Sequence, residues 1–272
     1  MREQEPKDLN FINLMQEFRA VGEFARFAGQ AWTWPLRRAA TAARHILLIP
    51  GFLAGDVTLY PFANWLRSRG HQVFFSGILA NTDCPKRAMD RLENILRERH
   101  SRANEKLVVI GHSLGGIYAR ELARRYPQGV EQVILLGSPI RDPHKHANPY
   151  VKMLALLTRR MHEARHGCSR GELATICGVH EVEPPPDIPE TLIYSKRDGV
   201  VDWASCVEEG PLVNAFEVDS THCGLPYSLE TLRIVRARIE AADALPVKPA
   251  VTLSQRRTKS GEPAANSAAS AE

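Results

Sequence analysis

The chain has 272 residues, of which 44% are hydrophobic and 24% charged, and its formal net charge is +4. These values are ordinary for a globular protein that buries a sizeable core. No long basic run is interleaved with aromatic residues, which argues against nucleic-acid binding. No apolar stretch approaches the roughly 18 residues that a membrane-spanning helix needs.

The N-terminal segment, residues 1–44, carries an amphipathic helical pattern. Glu17, Glu23 and Arg26 lie off the apolar stripe of this pattern, so we expect the stripe to pack on the domain. The alternative is a helix that lies on a membrane surface. The stripe consists of apolar residues spaced three or four apart: Phe11, Leu14, Met15, Phe18, Val21, Ala25, Ala28 and Trp32.

The first ten residues show no secretory signal pattern, and the five cysteines match no zinc-ligand spacing. We therefore expect a cytoplasmic protein without a metal site, with peripheral membrane contact as the alternative. Cys206 and Cys223 either form a disulfide or remain reduced thiols, and reduced thiols are typical of the cytoplasm. A zinc site around Cys168 and Cys177 is not favoured, because zinc sites need closely defined ligand pairs.

Short apolar runs alternate with helical patterns from residue 45 to residue 245. The runs predict buried strands at 45–50, 73–75, 106–111, 132–137, 191–195 and 215–218. Helices are predicted among them at 57–69, 86–103, 114–125 and 228–242. The alternation predicts an α/β domain with a doubly wound, mostly parallel sheet and helices on both of its faces.

The alternation breaks between the fourth and fifth strands. The insertion, about residues 141–190, contains one helical pattern at 150–165 and is too long for a plain connection. It is predicted to form a small cap over the site, and the alternative is a helix that covers the sheet edge. Residues 246–272 are rich in Ala, Ser, Pro and Lys and are predicted to be a disordered tail.

A candidate nucleophile follows the third predicted strand. Residues 111–115 read GHSLG and fit the pattern G-x-S-x-G, between a strand and a helix. To act as a nucleophile, a serine hydroxyl must be exposed, held in a fixed direction and paired with a base. A sharp strand-to-helix turn provides the exposure and the fixed direction. The helix N-terminus adds N–H groups beside a developing oxyanion. We expect Ser113 to be the nucleophile, the alternative being an ordinary glycine-rich turn, and we expect His112 to be structural.

Candidates for the acid and the base follow the last two strands. Asp198 stands three residues past the fifth strand, and His222 stands four residues past the sixth. Both fall at carboxyl ends of parallel strands, where ligands bind in such sheets. The order Ser, Asp, His is typical of a hydrolytic triad on this kind of sheet. Asp202 and Asp219 are the rival acids.

With these residues, the chain resembles the α/β-hydrolase superfamily and its bacterial esterase and lipase branch. The resemblance covers residues 45–242 and is carried by IPGFLAGD, GHSLGG, LLGSPI, SKRDGVVDW and STHCG. It implies a catalytic triad of Ser113, Asp198 and His222, without a metal or organic cofactor. It also implies an oxyanion hole from the N–H groups of Leu114 and Phe52. Many relatives have His-Gly in the first loop, where this chain has Pro-Gly-Phe.

The expected reaction is hydrolysis of a carboxylic ester with an apolar acyl group, from a small-molecule or lipid substrate. Side chains expected to line the acyl site are Leu53, Met153, Leu154 and Leu157. The same triad would also serve an acyltransferase, a thioesterase or an amidase, because the fold does not decide between them. A non-catalytic scaffold that binds a lipid or a partner is a further alternative.

Overall fold

A parallel sheet forms the centre of the molecule. The structure, a computed structural model, describes residues 9–31, 43–141, 147–154, 156–157 and 183–241. Within these ranges six strands form one sheet in the order β2-β1-β3-β4-β5-β6, and all neighbours are parallel. The strands are β1 (His45–Ile49), β2 (Gln72–Phe75), β3 (Leu107–His112), β4 (Val130–Leu136), β5 (Glu190–Tyr194) and β6 (Val213–Glu217). The prediction of a mostly parallel sheet is confirmed.

The helices cover both faces of this sheet. In the described ranges they are α1 (Phe11–Gln16), α2 (Arg19–Ala31), α3 (Tyr60–Ser68), α4 (Pro85–Ala103), α5 (Leu114–Arg125) and α6 (Leu229–Glu240). Residues 149–154 are also helical. A left-handed Asn104 ends α4, and a glycine with positive φ, Gly70, follows α3. Four of these helices match the predicted ones to within about three residues.

Each face of the sheet carries its own hydrophobic core. Leu47 and Val109 point to one face, where they pack with Leu92 of α4 and Leu122 of α5. The alternate strand residues point to the other face, where they pack with Phe62 of α3 and with α6. Strands buried on both faces need continuous apolar runs, which is why these segments were recognisable in the sequence.

The strand order reverses between β1 and β3, at the centre of the sheet. In open α/β sheets, ligands bind beyond the carboxyl ends of the strands at such a switch point. The loops that leave β1, β3, β5 and β6 at this edge contain the candidate site residues. The sheet topology therefore gathers Phe52, Ser113, Asp198 and His222 at one end of the domain.

The N-terminal helices pack opposite to the predicted orientation, so that prediction was wrong. Most of the apolar stripe faces outward: Phe11 is 53% exposed, Phe18 68% and Val21 69%. The face that meets the domain carries Glu17 and Glu23, whose carboxylates accept hydrogen bonds from domain loops. These loops offer several backbone N–H donors beyond the strand ends, with which the two carboxylates pair. Phe27 of α2 packs into the core on the same side.

Contact of the exposed apolar face with a lipid surface stays a prediction, as does a cytoplasmic location. In the part of the chain that is described, no helix has the length and apolar character to cross a bilayer. Trp32, most of the insertion and the tail 246–272 lie outside the described residues. The predicted cap, disordered tail and domain boundaries likewise stay predictions.

Candidate active site

Ser113 occupies a strained turn between β3 and α5. Its backbone has φ 53° and ψ −122°, a left-handed φ that non-glycine residues rarely adopt. Such a conformation costs about 1–3 kcal/mol and persists only where the surroundings enforce it. Here the Ser113 N–H donates to the carbonyl of Leu136 at 2.8 Å, which ties the turn to β4. The predicted strand–turn–helix elbow is present.

Glycines let neighbouring backbone pass close to this turn. A Cβ at Gly111 would overlap the carbonyl of Gly115, and a Cβ at Gly115 would overlap the carbonyl of Ile49. At Gly51, in the loop after β1, a Cβ would lie 3.1 Å from the Ser113 Cβ. The first loop therefore runs directly past the candidate nucleophile.

Asp198 and His222 form a buried hydrogen-bonded pair. The Asp198 Oδ2 atom lies 2.5 Å from Nδ1 of His222, and the two residues are 1% and 4% exposed. The other carboxylate oxygen, Oδ1, accepts the N–H groups of Val200 and Val201 at 2.8 and 2.7 Å. These two bonds fix the carboxylate with one oxygen aimed at the imidazole.

The rival acids serve other contacts. The Asp202 Oδ1 atom accepts the N–H of Ala204 at 3.1 Å, at the start of a short 3₁₀ turn. Asp219 lies 3.0 Å from a guanidinium nitrogen of Arg197 at the surface. Of the three carboxylates, Asp198 is the one that the structure brings to the His222 ring.

The surroundings of His222 favour its protonated form. Burial alone would lower the pKa of His222. The charge of Asp198, its hydrogen bond to the ring and the more distant charge of Glu17 outweigh burial, so the pKa lies above its ordinary value. A raised pKa makes the imidazole a stronger base, and the same surroundings stabilise the imidazolium that forms when the ring takes a proton.

His112 links the elbow to the loop of His222. Its Nε2 atom lies 3.0 Å from the carbonyl oxygen of His222, and the two rings are 4.9 Å apart between centroids. Burial, and next the adjacent His222, lower the pKa of His112 to about 3. His112 is therefore neutral, and its Nε2–H donates to the carbonyl. This contact agrees with the structural role expected for His112.

The predicted oxyanion donors, the N–H groups of Leu114 and Phe52, belong to the first turn of α5 and to the loop after β1, and their role stays a prediction. Leu114 is the first residue of α5, so its N–H has no acceptor within the helix. Phe52 follows Gly51 in the loop beside Ser113. Buried Asn81 holds this loop in place. Its side-chain amide donates to the carbonyl of Pro50 at 2.8 Å, and its backbone carbonyl accepts the N–H of Leu53. Asn81 was not predicted from the sequence.

The residues expected to line an acyl site are apolar but open to solvent. Leu53 is 44% exposed in the first loop, where its φ is 60°. Met153, Leu154 and Leu157, in the helical stretch that begins at residue 149, are also exposed. This stretch starts beside the loop of Asp198, because Ala147 pairs with Val201 in an isolated antiparallel bridge. The role of these side chains as an acyl site stays a prediction.

Two carboxylates from the N-terminal helices reach the loops of Asp198 and His222. Glu17 Oε1 accepts the N–H of Gly199 at 2.9 Å and that of His222 at 3.0 Å. Glu23 accepts the N–H and hydroxyl of Thr221 at 3.0 and 2.8 Å. Sequence reasoning missed both contacts, since the two glutamates are remote in sequence from their partners and form no motif with them.

The cysteines and metal-binding groups were also considered. Cys206 and Cys223 are both free thiols, which agrees with the reduced alternative. Cys168 and Cys177 lie outside the described residues. Among the residues that are described, no three His, Cys, Asp or Glu side chains cluster in a way that could hold a metal ion.

Comparisons with known proteins agree with this fold. Residues 85–182 match a hydrolase family model described as serine aminopeptidase, S33. A methyl jasmonate esterase of Vitis vinifera is 26% identical over 136 residues, which are 47% of this chain and 49% of that protein. The chain thus spans about half the length of this curated relative.

Solved structures are similar over three quarters of the chain. A lipase of Bacillus licheniformis superposes with a TM-score of 0.51 at 14% identity, covering 75% of this chain and 95% of that one. A pyrethroid hydrolase of Sphingobium faniae covers 75% of this chain and 99% of its own, with 20% identity and a TM-score of 0.49. At these identities the likeness to the lipase bears on the fold alone. With its parallel sheet, its strained serine elbow and the family match across that elbow, the chain has the α/β-hydrolase fold and resembles the esterases of that superfamily.

Proposed function

We propose that this protein is a serine hydrolase that cleaves carboxylic esters with an apolar acyl group. Ser113 is the nucleophile, His222 is the general base, and Asp198 orients His222. The observation that carries the proposal is the buried 2.5 Å contact between Asp198 and His222, tied through His112 to the elbow of Ser113. A buried acid–base pair beside a serine nucleophile is the arrangement that serine enzymes use for acyl transfer.

The reaction proceeds in two halves. Nε2 of His222 accepts the proton of the Ser113 hydroxyl while Oγ forms a bond to the ester carbonyl carbon. The N–H groups of Leu114 and Phe52 donate to the resulting oxyanion. The intermediate collapses, the alcohol leaves with the proton from His222, and the acyl group stays on Ser113. Water, deprotonated by His222, then attacks the acyl carbon; the bond to Ser113 Oγ breaks, the carboxylic acid leaves, and His222 returns the proton to Oγ.

Asp198 keeps His222 in the tautomer that this chemistry needs. Its carboxylate accepts Nδ1–H, which leaves Nε2 unprotonated and free to act as a base. The charge of Asp198 also stabilises the imidazolium that forms after proton transfer. The carboxylate is held in place by the N–H groups of Val200 and Val201.

Ester cleavage is supported by the named activity of the curated relative, which is a methyl jasmonate esterase. An apolar acyl group is supported by the exposed apolar side chains of Leu53, beside the elbow, and of Met153, Leu154 and Leu157. Each acyl methylene buried against such side chains contributes about 0.8 kcal/mol, close to fourfold in binding. The acyl group would therefore supply much of the binding energy.

Amide hydrolysis is the second candidate, because the matching family model is described as a serine aminopeptidase. The same nucleophile and base would cleave an amide if His222 protonated the leaving amine. Acyltransferase and thioesterase activities use the same acyl-enzyme and differ in the acceptor or the leaving group. A non-catalytic scaffold would instead leave Ser113 unreactive.

A substrate series tests the proposal. p-Nitrophenyl esters of increasing acyl length are compared with amino-acid p-nitroanilides for the native chain, Ser113→Ala and the control Ser101→Ala, an exposed serine in the last turn of α4. We expect kcat/KM to peak at medium acyl length and activity to vanish only in Ser113→Ala. A maximum at acetate would contradict the apolar acyl site. Turnover confined to the anilides would favour the aminopeptidase.

A further inference from the structure

We propose that Glu17 is a positioning residue of the active site, whose carboxylate fastens the loop of Asp198 to the loop of His222. We call residues 195–202 the acid loop and residues 218–224 the base loop. The inference deepens the proposed function and rests on it, because it assigns the control of the His222 base to a segment that precedes the first strand.

The contacts of Glu17 reach both loops at once. Oε1 accepts the N–H of Gly199 in the acid loop at 2.9 Å and the N–H of His222 in the base loop at 3.0 Å. Oε2 accepts the N–H of Cys223 at 2.9 Å. One carboxylate therefore receives three backbone donors, and charge-assisted bonds of this kind are about twice as strong as neutral ones.

These bonds act where the sheet no longer holds the loops. Strands β5 and β6 pair as far as Tyr194 and Glu217. Beyond that point the Ser195 hydroxyl donates to the carbonyl of Ser220 at 2.5 Å. The Arg197–Asp219 pair joins the loops at the surface, and in the interior they are joined by the Asp198–His222 contact and the Glu17 carboxylate. Glu17 thus fixes the separation of the two loops at the level of the acid–base pair.

Two glycines allow the N-terminal helices to approach closely enough. A Cβ at Gly199 would overlap the carbonyl of Asn13 in α1, and a Cβ at Gly224 would overlap the Glu23 carboxylate. Buried Asn148 adds a second tie, since its side-chain amide donates to the carbonyls of Asn10 and Gly199, both at 3.1 Å. The docking is therefore specified from several elements.

Glu23 also holds the N-terminal helices on the base loop, but it makes no hydrogen bond to His222. Its carboxylate accepts the N–H and hydroxyl of Thr221 and the hydroxyl of Ser220 at 3.2 Å. Glu23 therefore anchors α2 on the base loop, whereas Glu17 bonds the backbone of His222 itself. This difference makes Glu23 a matched control.

The charges that face His222 are few among the described residues. Asp198 and Glu17 raise the pKa of His222 against the lowering effect of burial. His112 is neutral because burial and its neighbour lower its pKa to about 3. The Cys223 thiol stays protonated, because desolvation and the nearby carboxylates, Glu17 first, raise its pKa to about 12. Removal of the Glu17 charge must therefore lower the pKa of His222.

The test compares Glu17→Gln with Glu23→Gln in the full-length protein. In Glu17→Gln the charge is lost, and the NH₂ group of the new side-chain amide must face a backbone N–H. This is the N–H of Cys223 in one orientation of the amide, and those of Gly199 and His222 in the other. Four quantities are measured for each variant: kcat and KM over pH, the His222 ring titration by NMR, and the melting temperature. Fluorophosphonate labelling of the native chain reports separately on the proposed function.

We expect both variants to lower the melting temperature, because both weaken docking of the helices. Only Glu17→Gln should lower kcat, by about tenfold, and leave KM nearly unchanged. In that variant alone, the acid limb of kcat/KM and the His222 titration should move to lower pH. Glu17→Asp keeps the charge but shortens the reach, so the acid limb should return while kcat stays low.

An acid limb and a His222 titration that coincide with the native curves in Glu17→Gln would overturn the inference, as would an equal shift in Glu23→Gln. If Glu17→Gln does not fold, Glu17→Asp decides, and a kcat within about twofold of the native value contradicts the clamp. A native chain that takes up no fluorophosphonate defeats the proposed function. The His222 titration still decides the role of Glu17 in that case.

Discussion

Asp198 and His222 meet through a 2.5 Å contact between Oδ2 and Nδ1, with both side chains almost fully buried. Replacement of Asp198 by Asn removes the charge and offers an NH₂ group to the ring, which favours the wrong imidazole tautomer. In the serine proteases this change costs about 10⁴ in turnover. We expect a loss of the same kind here, measured as kcat on the best ester substrate.

The rival acids provide the controls for this prediction. Asp202→Asn should retain most of the activity, because Asp202 bonds the N–H of Ala204. Asp219→Asn should do the same, since that carboxylate pairs with Arg197 at the surface. A nearly silent Asp198→Asn together with a crippling Asp202→Asn would show that the acid is assigned to the wrong residue.

Gly137 leaves space for the side chains of Asp198 and His222. Its φ is +56°, and a Cβ there would lie 3.2 Å from Nδ1 of His222 and 3.3 Å from Oδ2 of Asp198. It would also press on Leu225 at 2.6 Å. Gly137→Ala should therefore lower kcat at least about tenfold, because the pair must shift, and should also destabilise the fold by about 1–3 kcal/mol.

Gly77 provides the control that separates the effect of backbone strain from the effect of contact with the added methyl group. Its φ is +73°, but a Cβ added there would meet no atom within 4 Å beyond its chain neighbours. Gly77→Ala should cost a similar amount of stability in urea unfolding and leave kcat unchanged. Equal losses of kcat in the two variants would argue against a special role for the space at Gly137.

Arg120 forms the most deeply buried ion pair in the described residues. It is 0% exposed in α5, and its Nε and Nη2 atoms lie 2.8 and 2.5 Å from the two carboxylate oxygens of Glu190. Glu208 contacts the same guanidinium. Arg120→Met would leave the Glu190 carboxylate buried without its cation, so we expect a loss of about 3–5 kcal/mol in unfolding free energy.

An exposed pair on the same helix calibrates this loss. The Nε atom of Arg125 lies 2.8 Å from Oε1 of Glu121 at the solvent-exposed surface. Because solvent screens that pair, Arg125→Met should cost less than about 1 kcal/mol. The double variant Arg120→Met/Glu190→Met should recover part of the stability lost in the single variant. Similar losses for Arg120→Met and Arg125→Met would contradict the role assigned to the buried pair.

The sheet and the serine elbow were predictable because their signals are local. Strands such as β1 and β3 are short apolar runs bounded by turn residues, and the G-x-S-x-G pattern sits between a strand and a helix. Asp198 and His222 could be chosen as candidates because each follows a recognisable strand, and the structure brings the two side chains together. In each case neighbours in sequence carry the physical constraint.

The docking of the N-terminal helices was not predictable from the same kind of pattern. A periodic apolar stripe predicts burial, yet Phe18 and Val21 are exposed while Glu17 and Glu23 face the domain. Their partners are mostly backbone N–H groups, which leave no trace in side-chain patterns. The partners of Arg120 were missed for a similar reason, since both glutamates are remote in sequence.

The identity of the nucleophile is the central claim, and the site of covalent labelling tests it most directly. The native chain is treated with a fluorophosphonate, digested and mapped by mass spectrometry. Ser113→Ala and the control Ser101→Ala, which changes an exposed serine outside the elbow, are treated in the same way. We predict a single adduct on Ser113 in the native chain and in Ser101→Ala, and none in Ser113→Ala. An adduct that persists in folded Ser113→Ala, or none in the native chain, would contradict the account.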